Sequence, residues 1–412
     1  LYVPWSVDME RIMPLPAQLI RASNARLNYK VTLVFSCIFI FCPLLLAAPL
    51  YRVVPLEPSS VDDSMDPRFF GYEGLDNAGN AYVNVIDENQ PNADYEQRWN
   101  GTTLSGYLPD QSFGVKSISL GGQVVLQTFS GEQETTQSAI WTASGGLTTL
   151  SAPSNLAGWS LYAQNSNKCG YVAGTAWNGD NSVTPHVVTW SPDGTPHDLG
   201  VPATGNTNPM ISDSGVLYGD TDILQANTFA GQSSVGFVGW GNNMQLITVP
   251  GFDAVYVPGL NASGEALVKG ISGATVLSSF TKSFVWSSGV LTPLPDVPGS
   301  PAYFAGQSVA MAINDSGTIV GSQGEAALWD SNLTPYSIND LLMPDDETAW
   351  TIDTAYDIND SGDILASADR NGVDANGLPY LPEPVMLVLV PEPSSAATVL
   401  TVVLLIGARR RR

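Results

Sequence analysis

The residues best equipped for chemistry are few. The only histidines are His186 and His197, which flank the SPDG stretch from Ser191 to Gly194. If that stretch is a tight turn, His197 falls opposite roughly Trp190. His186 then lies about four residues further along its strand, roughly 13 Å away at ~3.3 Å per residue, too far to share a metal ion. DINDSGD, from Asp357 to Asp363, opens like a calcium loop, with Asp357, Asn359 and Ser361 at alternate places and Gly362 sixth. Its twelfth place is Ala368, where such a loop needs a bidentate Glu. No nucleophile elbow, zinc spacing or phosphate-binding loop accompanies these residues. The expectation is a chain with no catalytic residues, no metal site and no cofactor.

What the calcium-like stretch does share is a pattern. INDSG stands at Ile313 to Gly317 and again at Ile358 to Gly362. Asn, Asp and Ser favour turn geometry, and Gly takes the left-handed position that closes a type I turn with a bulge, so the pentad predicts a hairpin between two strands. Looser copies run back along the chain: LDNAGNAYV from Leu75, ISLGGQVVL from Ile118, SNKCGYVAG from Ser166, ISDSGVLYG from Ile211 and LNASGEALV from Leu260. Their glycines, Gly79, Gly122, Gly170, Gly215, Gly264, Gly317 and Gly362, are 43, 48, 45, 49, 53 and 45 residues apart. A second landmark follows the first six: a strand ending at Trp99, Trp141, Trp190, Trp240, Trp286 or Trp329, then a turn and a short strand. The seventh copy has aliphatics there, Val385 to Val390.

Two hairpins in about 45 residues are four strands, the unit of a β-propeller blade. The reading is therefore an all-β, seven-bladed propeller over residues 49–390, with the tryptophans as wedges between blades. The last repeat is one strand short at its end, and LYRVVPLEP from Leu50 resembles the closing strands of other repeats. Tyr51 to Leu56 is expected to pair with Val385 to Val390 and close the ring.

The NxxG turn, the β-prone pair after it and the later strand ending at Trp resemble the HAF-type extracellular repeat, over roughly Gly71 to Val390. That resemblance implies export and a repeat architecture, and no chemistry. Ser119 in place of Asn, and the seventh repeat without Trp, depart from the pattern.

The two ends read as addresses. In residues 1–48, Arg21, Arg26 and Lys30 precede the apolar run Val31 to Ala48, followed by polar sequence, as in a secretory signal peptide. The run is also long enough for an uncleaved anchor. Residues 391–412 hold Pro391, Glu392 and Pro393, an apolar stretch from Ala396 to Ala408, and Arg409, Arg410, Arg411 and Arg412. The basic cluster stays cytoplasmic by the positive-inside rule, leaving the repeats outside. This order resembles the PEP-CTERM sorting signal. The resemblance implies a transmembrane sorting helix, handling by secretion machinery and cleavage by an exosortase, a membrane protease. It also implies a membrane-tethered precursor that becomes a cell-surface or extracellular protein, with extracellular polysaccharide a candidate partner.

Between Pro49 and Pro391 there are 36 acidic and 8 basic residues, a surplus of 28 negative charges. Such a surface repels nucleic acid and suits partners that are cations or neutral glycans. Beyond the N-terminal segment the one thiol is Cys169, so no internal disulfide forms there. Carboxylates are plentiful enough for a glycosidase pair gathered from several blades, though none is singled out. The function expected is an exported, non-catalytic binding or structural propeller; the alternative is a secreted carbohydrate-active enzyme on the same scaffold.

Overall fold

Each repeated pentad folds as a hairpin turn with the same bonds. In the third pentad from the end of the chain, Asn261 N–H donates to Glu265 O and Gly264 N–H to Asn261 O, both at 3.1 Å. Gly317 and Gly362 sit at φ +82° and +88°, and the other five repeat glycines lie between +76° and +88°, where a side chain would be strained. The computed structural model describes residues 49–56, 69–86, 94–100, 104–107, 113–128, 136–180, 183–202, 205–223, 233–273, 280–373 and 382–390.

The turns join the first two strands of seven four-stranded antiparallel sheets, numbered here along the chain. Sheet 1 spans Phe69–Leu75 to Leu104–Tyr107, sheet 2 Phe113–Ile118 to Gly146–Thr149, and sheet 3 Ser160–Ser166 to Pro196–Gly200. Sheet 4 spans Thr207–Ile211 to Gln245–Ile247, sheet 5 Ala254–Leu260 to Val290–Pro293, and sheet 6 Val309–Ile313 to Pro335–Ser337. Sheet 7 holds Trp350–Ile358, Ile364–Arg370 and Glu383–Val390, and takes its fourth strand, Leu50–Pro55, from the start of the described chain. Every sheet packs against the next and sheet 7 against sheet 1, which defines a β-propeller.

Closure follows the expected pairing, one residue earlier: Leu50 lies opposite Val390 and Pro55 opposite Val385. Leu56 N–H adds a bond to Pro384 O at 2.9 Å. The segment between sheets 6 and 7 holds the closing strand too. Met343 N–H donates to Tyr51 O at 2.8 Å, and Val53 N–H to Asp346 Oδ2 at 3.1 Å from the short helix Pro344–Ala349.

The seams between sheets are apolar and carry the tryptophans. Trp190, Trp286 and Trp329 lie opposite Val172, Ala266 and Ile319, each two residues past a turn glycine. Trp190 and Trp329 are fully buried, and their indole N–H groups donate at 2.8 Å to Ser151 O and Pro295 O, each two residues past the last strand of the preceding sheet. In sheet 7 buried Leu387 takes this place opposite Ile364. Trp240 departs from the series. The residue bonded to Leu217, the equivalent partner, is Gly239, whose N–H reaches Leu217 O at 2.8 Å. Gly239 turns at φ +89°, which puts Trp240 one place out of step. Phe237 fills the buried seam instead, and the Trp240 N–H reaches Leu199 O at a long 3.4 Å.

Among the described residues no helix is long and apolar enough to cross a membrane. The C-terminal transmembrane sorting helix expected over 391–412 has no support there, because those residues, like the signal segment 1–48, lie outside the described ones.

Removing an in-register wedge should open a large cavity, and removing Trp240 should not. Trp329→Ala is expected to lower unfolding free energy by about 3–5 kcal/mol and Trp240→Ala by under about 2 kcal/mol in urea melts. Equal losses would show that the two indoles do the same work.

Candidate functional site

The second residue of every repeat turn is short, polar and buried: Asp76, Ser119, Asn167, Ser212, Asn261, Asn314 and Asn359. In all seven its side-chain oxygen accepts the backbone N–H four residues on, at 2.8 to 3.1 Å. The asparagines have an amide left over, and each donates it to the next sheet. Asn167 reaches Ser212 O (3.0 Å), Asn261 reaches Asn314 O (3.3 Å), Asn314 reaches Asn359 O (3.0 Å) and Asn359 reaches Asp76 O (3.1 Å), joining the last repeat to the first.

The third residues continue the circuit. Lys168, Ala262 and Asp315 donate backbone N–H groups to Asp213, Asp315 and Asp360 carboxylates, and Asp360 N–H donates to Asn77 Oδ1. This gathers Asp213, Asp315 and Asp360, one oxygen of each within 4.8 Å of the others, a set that could hold a cation. The Lys168 ammonium stands among them, 2.6 Å from Asp315, 3.5 Å from Asp213 and 3.9 Å from Asp360. Its hydrogen bond to Asp315 raises its pKa against the effect of desolvation, with the three carboxylates adding to the rise.

The calcium-like residues are engaged elsewhere. Asn359 closes its turn and the ring, and Asp357 accepts Leu75 N–H of sheet 1 at 2.7 Å and Ile358 N–H at 2.9 Å. Desolvation pushes the Asp357 carboxyl up to about 6 although both N–H bonds pull it down. Asn165 holds the corresponding place in sheet 3, one residue ahead of the repeat. It both accepts Ile211 N–H (2.7 Å) and donates to Ile211 O (3.0 Å), without a charge.

The histidines also have separate partners. His186 Nδ1 lies 2.9 Å from Asp198 Oδ1, and His197 Nε2 lies 2.9 Å from Ser191 Oγ. His197 is opposite Thr189, one residue from the expected Trp190. Burial works against the Asp198 charge, but hydrogen bonds from Asn155, His186 and the Gly200 N–H hold its pKa below the usual range. Cys169 is free and exposed.

Where Trp240 leaves the series, the seam between sheets 3 and 4 opens into a groove of about 560 Å³ beside the repeat turns. The matching groove between sheets 5 and 6, where Trp329 is in register, measures about 230 Å³. Sequence reading placed Trp240 with the other wedges and so missed the groove. The signal was Gly239, whose left-handed turn ends the strand one residue early.

In comparisons with known proteins, no protein family and no curated protein matches the chain. Solved structures do. The β-propeller domain of the Trilobed protease from Pyrococcus furiosus matches at 6% identity and TM-score 0.48, over 74% of this chain and 95% of that one. A puromycin-hydrolysing peptidase of Mycobacterium tuberculosis matches at 12% identity and TM-score 0.44, over 82% of this chain and 56% of the peptidase. An ulvan lyase of polysaccharide lyase family PL25 matches at 9% identity and TM-score 0.40, over 80% and 95%. At these identities the likeness concerns the fold and transfers no activity.

Asp357 makes stability depend on pH. Its folded-state pKa of about 6 exceeds the ordinary 3.8, so the contribution is full below about pH 4 and is lost as pH rises through 6. Asp357→Asn removes the charge and supplies the amide that Asn165 uses. It should raise stability at pH 7 by on the order of 1–3 kcal/mol, and should flatten the rise in melting temperature between pH 7 and pH 5. Since acidification also relieves general repulsion, the quantity to compare is the slope of the variant against that of the wild type. Parallel slopes would show that Asp357 ionises freely.

Proposed function

We propose that the chain is an exported, seven-bladed propeller that works at the cell surface or in the extracellular matrix by binding or by building, without catalysis. The observation that carries this reading is where the recurring polar residues are spent. Asn167, Asn261, Asn314 and Asn359 each close a turn and bond to the next sheet, so the repeat is a device for making a ring. The export half of the reading rests on Pro391, Glu392, Pro393, the apolar stretch and the four terminal arginines. In that order they fit a tail held across the membrane with its basic end inside and its Pro-Glu-Pro triad within reach of an exosortase outside. The acidic surplus fits an uncharged or cationic partner.

One observation favours the alternative, a secreted carbohydrate-active enzyme. Desolvation, with Asp369 and Glu325 nearby, pushes the Asp353 carboxyl up to about 6, in the range of a general acid. Asp353 stands near the start of the strand Trp350–Ile358, at the opposite end from the repeat turn. Release of reducing sugar from a polysaccharide panel, abolished by Asp353→Asn, would establish that reading.

The export reading is tested by C-terminal peptide mass spectrometry on protein from the native host. The chain should end near Pro391 to Pro393, lack Arg409 to Arg412 and lie outside the cytoplasmic membrane. In a host without an exosortase the tail should be intact and membrane-bound. Surface protein that still carries Arg412 contradicts the assignment.

A further inference from the structure

The groove between sheets 3 and 4 differs from its counterpart in chemistry as well as size. At the residue after the turn glycine, the groove between sheets 5 and 6 has Glu265, whereas this one has Tyr171, 43% exposed. The half-buried Trp240 forms another wall, with the exposed side chains of Leu199 and Val216. Its polar groups are neutral. Asn243 and Gln245 are exposed on its edge, and among the described residues their side-chain amides have no hydrogen-bond partner. None of the residues lining the groove carries a charge, on a chain whose formal net charge is −23.

These features select a ligand class. A volume of about 560 Å³ falls within the ~300–1,000 Å³ of small-molecule sites, and aromatic walls with a few convergent polar groups are the usual lining of such sites. Tyr and Trp offer rigid apolar faces with a polar edge, which match the C–H faces of a sugar ring. Amide side chains both donate and accept, as a sugar's hydroxyls require. An anionic ligand would meet no cation in the groove and would approach through the field of a strongly acidic protein.

We propose that this seam binds an uncharged oligosaccharide, with sugar rings against Trp240 and Tyr171 and hydroxyls on Asn243 and Gln245. The proposal rests on the binding reading above and gives it a site and a ligand class. It also accounts for the displaced tryptophan: with Phe237 filling the deep part of this seam, Trp240 is left to wall the outer groove, whereas Trp329 is buried in the seam between sheets 5 and 6.

The test is a titration of the full chain with cellotetraose, maltotetraose, mannotetraose and xylotetraose, and with tetragalacturonate as the anionic control, read by tryptophan fluorescence and calorimetry. At least one neutral tetrasaccharide should bind, and tetragalacturonate should not. Trp240→Ala and Tyr171→Ala should each weaken binding at least tenfold. Val216→Arg, at an exposed position of the wall, should do the same with an unchanged melting temperature, which separates loss of the site from loss of the fold. The proposal is overturned if no neutral tetrasaccharide binds, if tetragalacturonate alone binds, or if the three variants bind like the wild type. The last result would leave a binding propeller with its site elsewhere, whereas retained Arg412 on surface protein would remove the export reading and leave this groove untouched.

Discussion

A short polar side chain that closes its own turn and also reaches the next sheet is the interaction on which the ring depends. Hydrophobic seams supply most of the burial, but burial is non-directional and tolerates sliding. Hydrogen bonds at the turns are directional. Because the groups are buried, losing a partner costs on the order of 1–3 kcal/mol. Asn serves best because one oxygen accepts the local N–H while the amide is free to donate across the seam. Ser119 and Ser212 keep the first bond and have no amide for the second, and Asp76 accepts both the backbone N–H and the side-chain amide of Asn80. The tolerance of the motif for Asn, Asp and Ser therefore has a physical limit: the oxygen is required everywhere, and the amide only at some seams.

Other polar residues reinforce the same seams. Buried Ser138 accepts Ala163 N–H and donates to Leu161 O of the next sheet, and buried Ser283 does the same with Ala310 N–H and Ser308 O. Asn339 forms the matching pair of bonds with Ile352. Asp357 is the costly member of this set, a carboxylate where Asn165 shows that an amide suffices. The Lys168 ammonium lies where three turn carboxylates converge and Arg370 pairs with Glu383 at 3.1 Å, so the acidic character of the chain is answered locally at those points. Against such a background an uncharged groove is a feature of the surface in its own right.

Much of the architecture was legible in the sequence because it rests on local chemistry that repeats. Gly317 and its six counterparts are forced by turn geometry, and the alternation around them gives strands with a period near 45 residues. Strand closure was legible because LYRVVPLEP looks like the strand the seventh repeat lacks. The turn asparagines were read only as turn formers; their second bond crosses to residues 45, 53 or 283 positions away, and no local pattern signals it. Register was the other blind spot. The first strands of sheets 1, 2, 3, 5, 6 and 7 shift register near their turns, and the offset of Trp240 depends on a single glycine, Gly239, just past the end of a strand whose sequence otherwise reads like its neighbours. The groove follows from that offset and was hidden for the same reason.

The central claim concerns the turns as latches, and backbone amide hydrogen exchange reads it without any substitution. Asp315 N–H and Asp360 N–H belong to hairpin tips, where an unlatched amide exchanges freely. Here they donate to Asp360 Oδ1 at 3.1 Å and Asn77 Oδ1 at 2.9 Å on the neighbouring sheets. If the turns latch the ring, both amides should be protected to nearly the same free energy as central-strand amides such as Val320 and Leu365, and should open with them in one cooperative unit. Exchange of either amide within about tenfold of the unprotected peptide rate, with the strands still protected, would mean that the turns are ornaments on a ring held by its apolar seams alone.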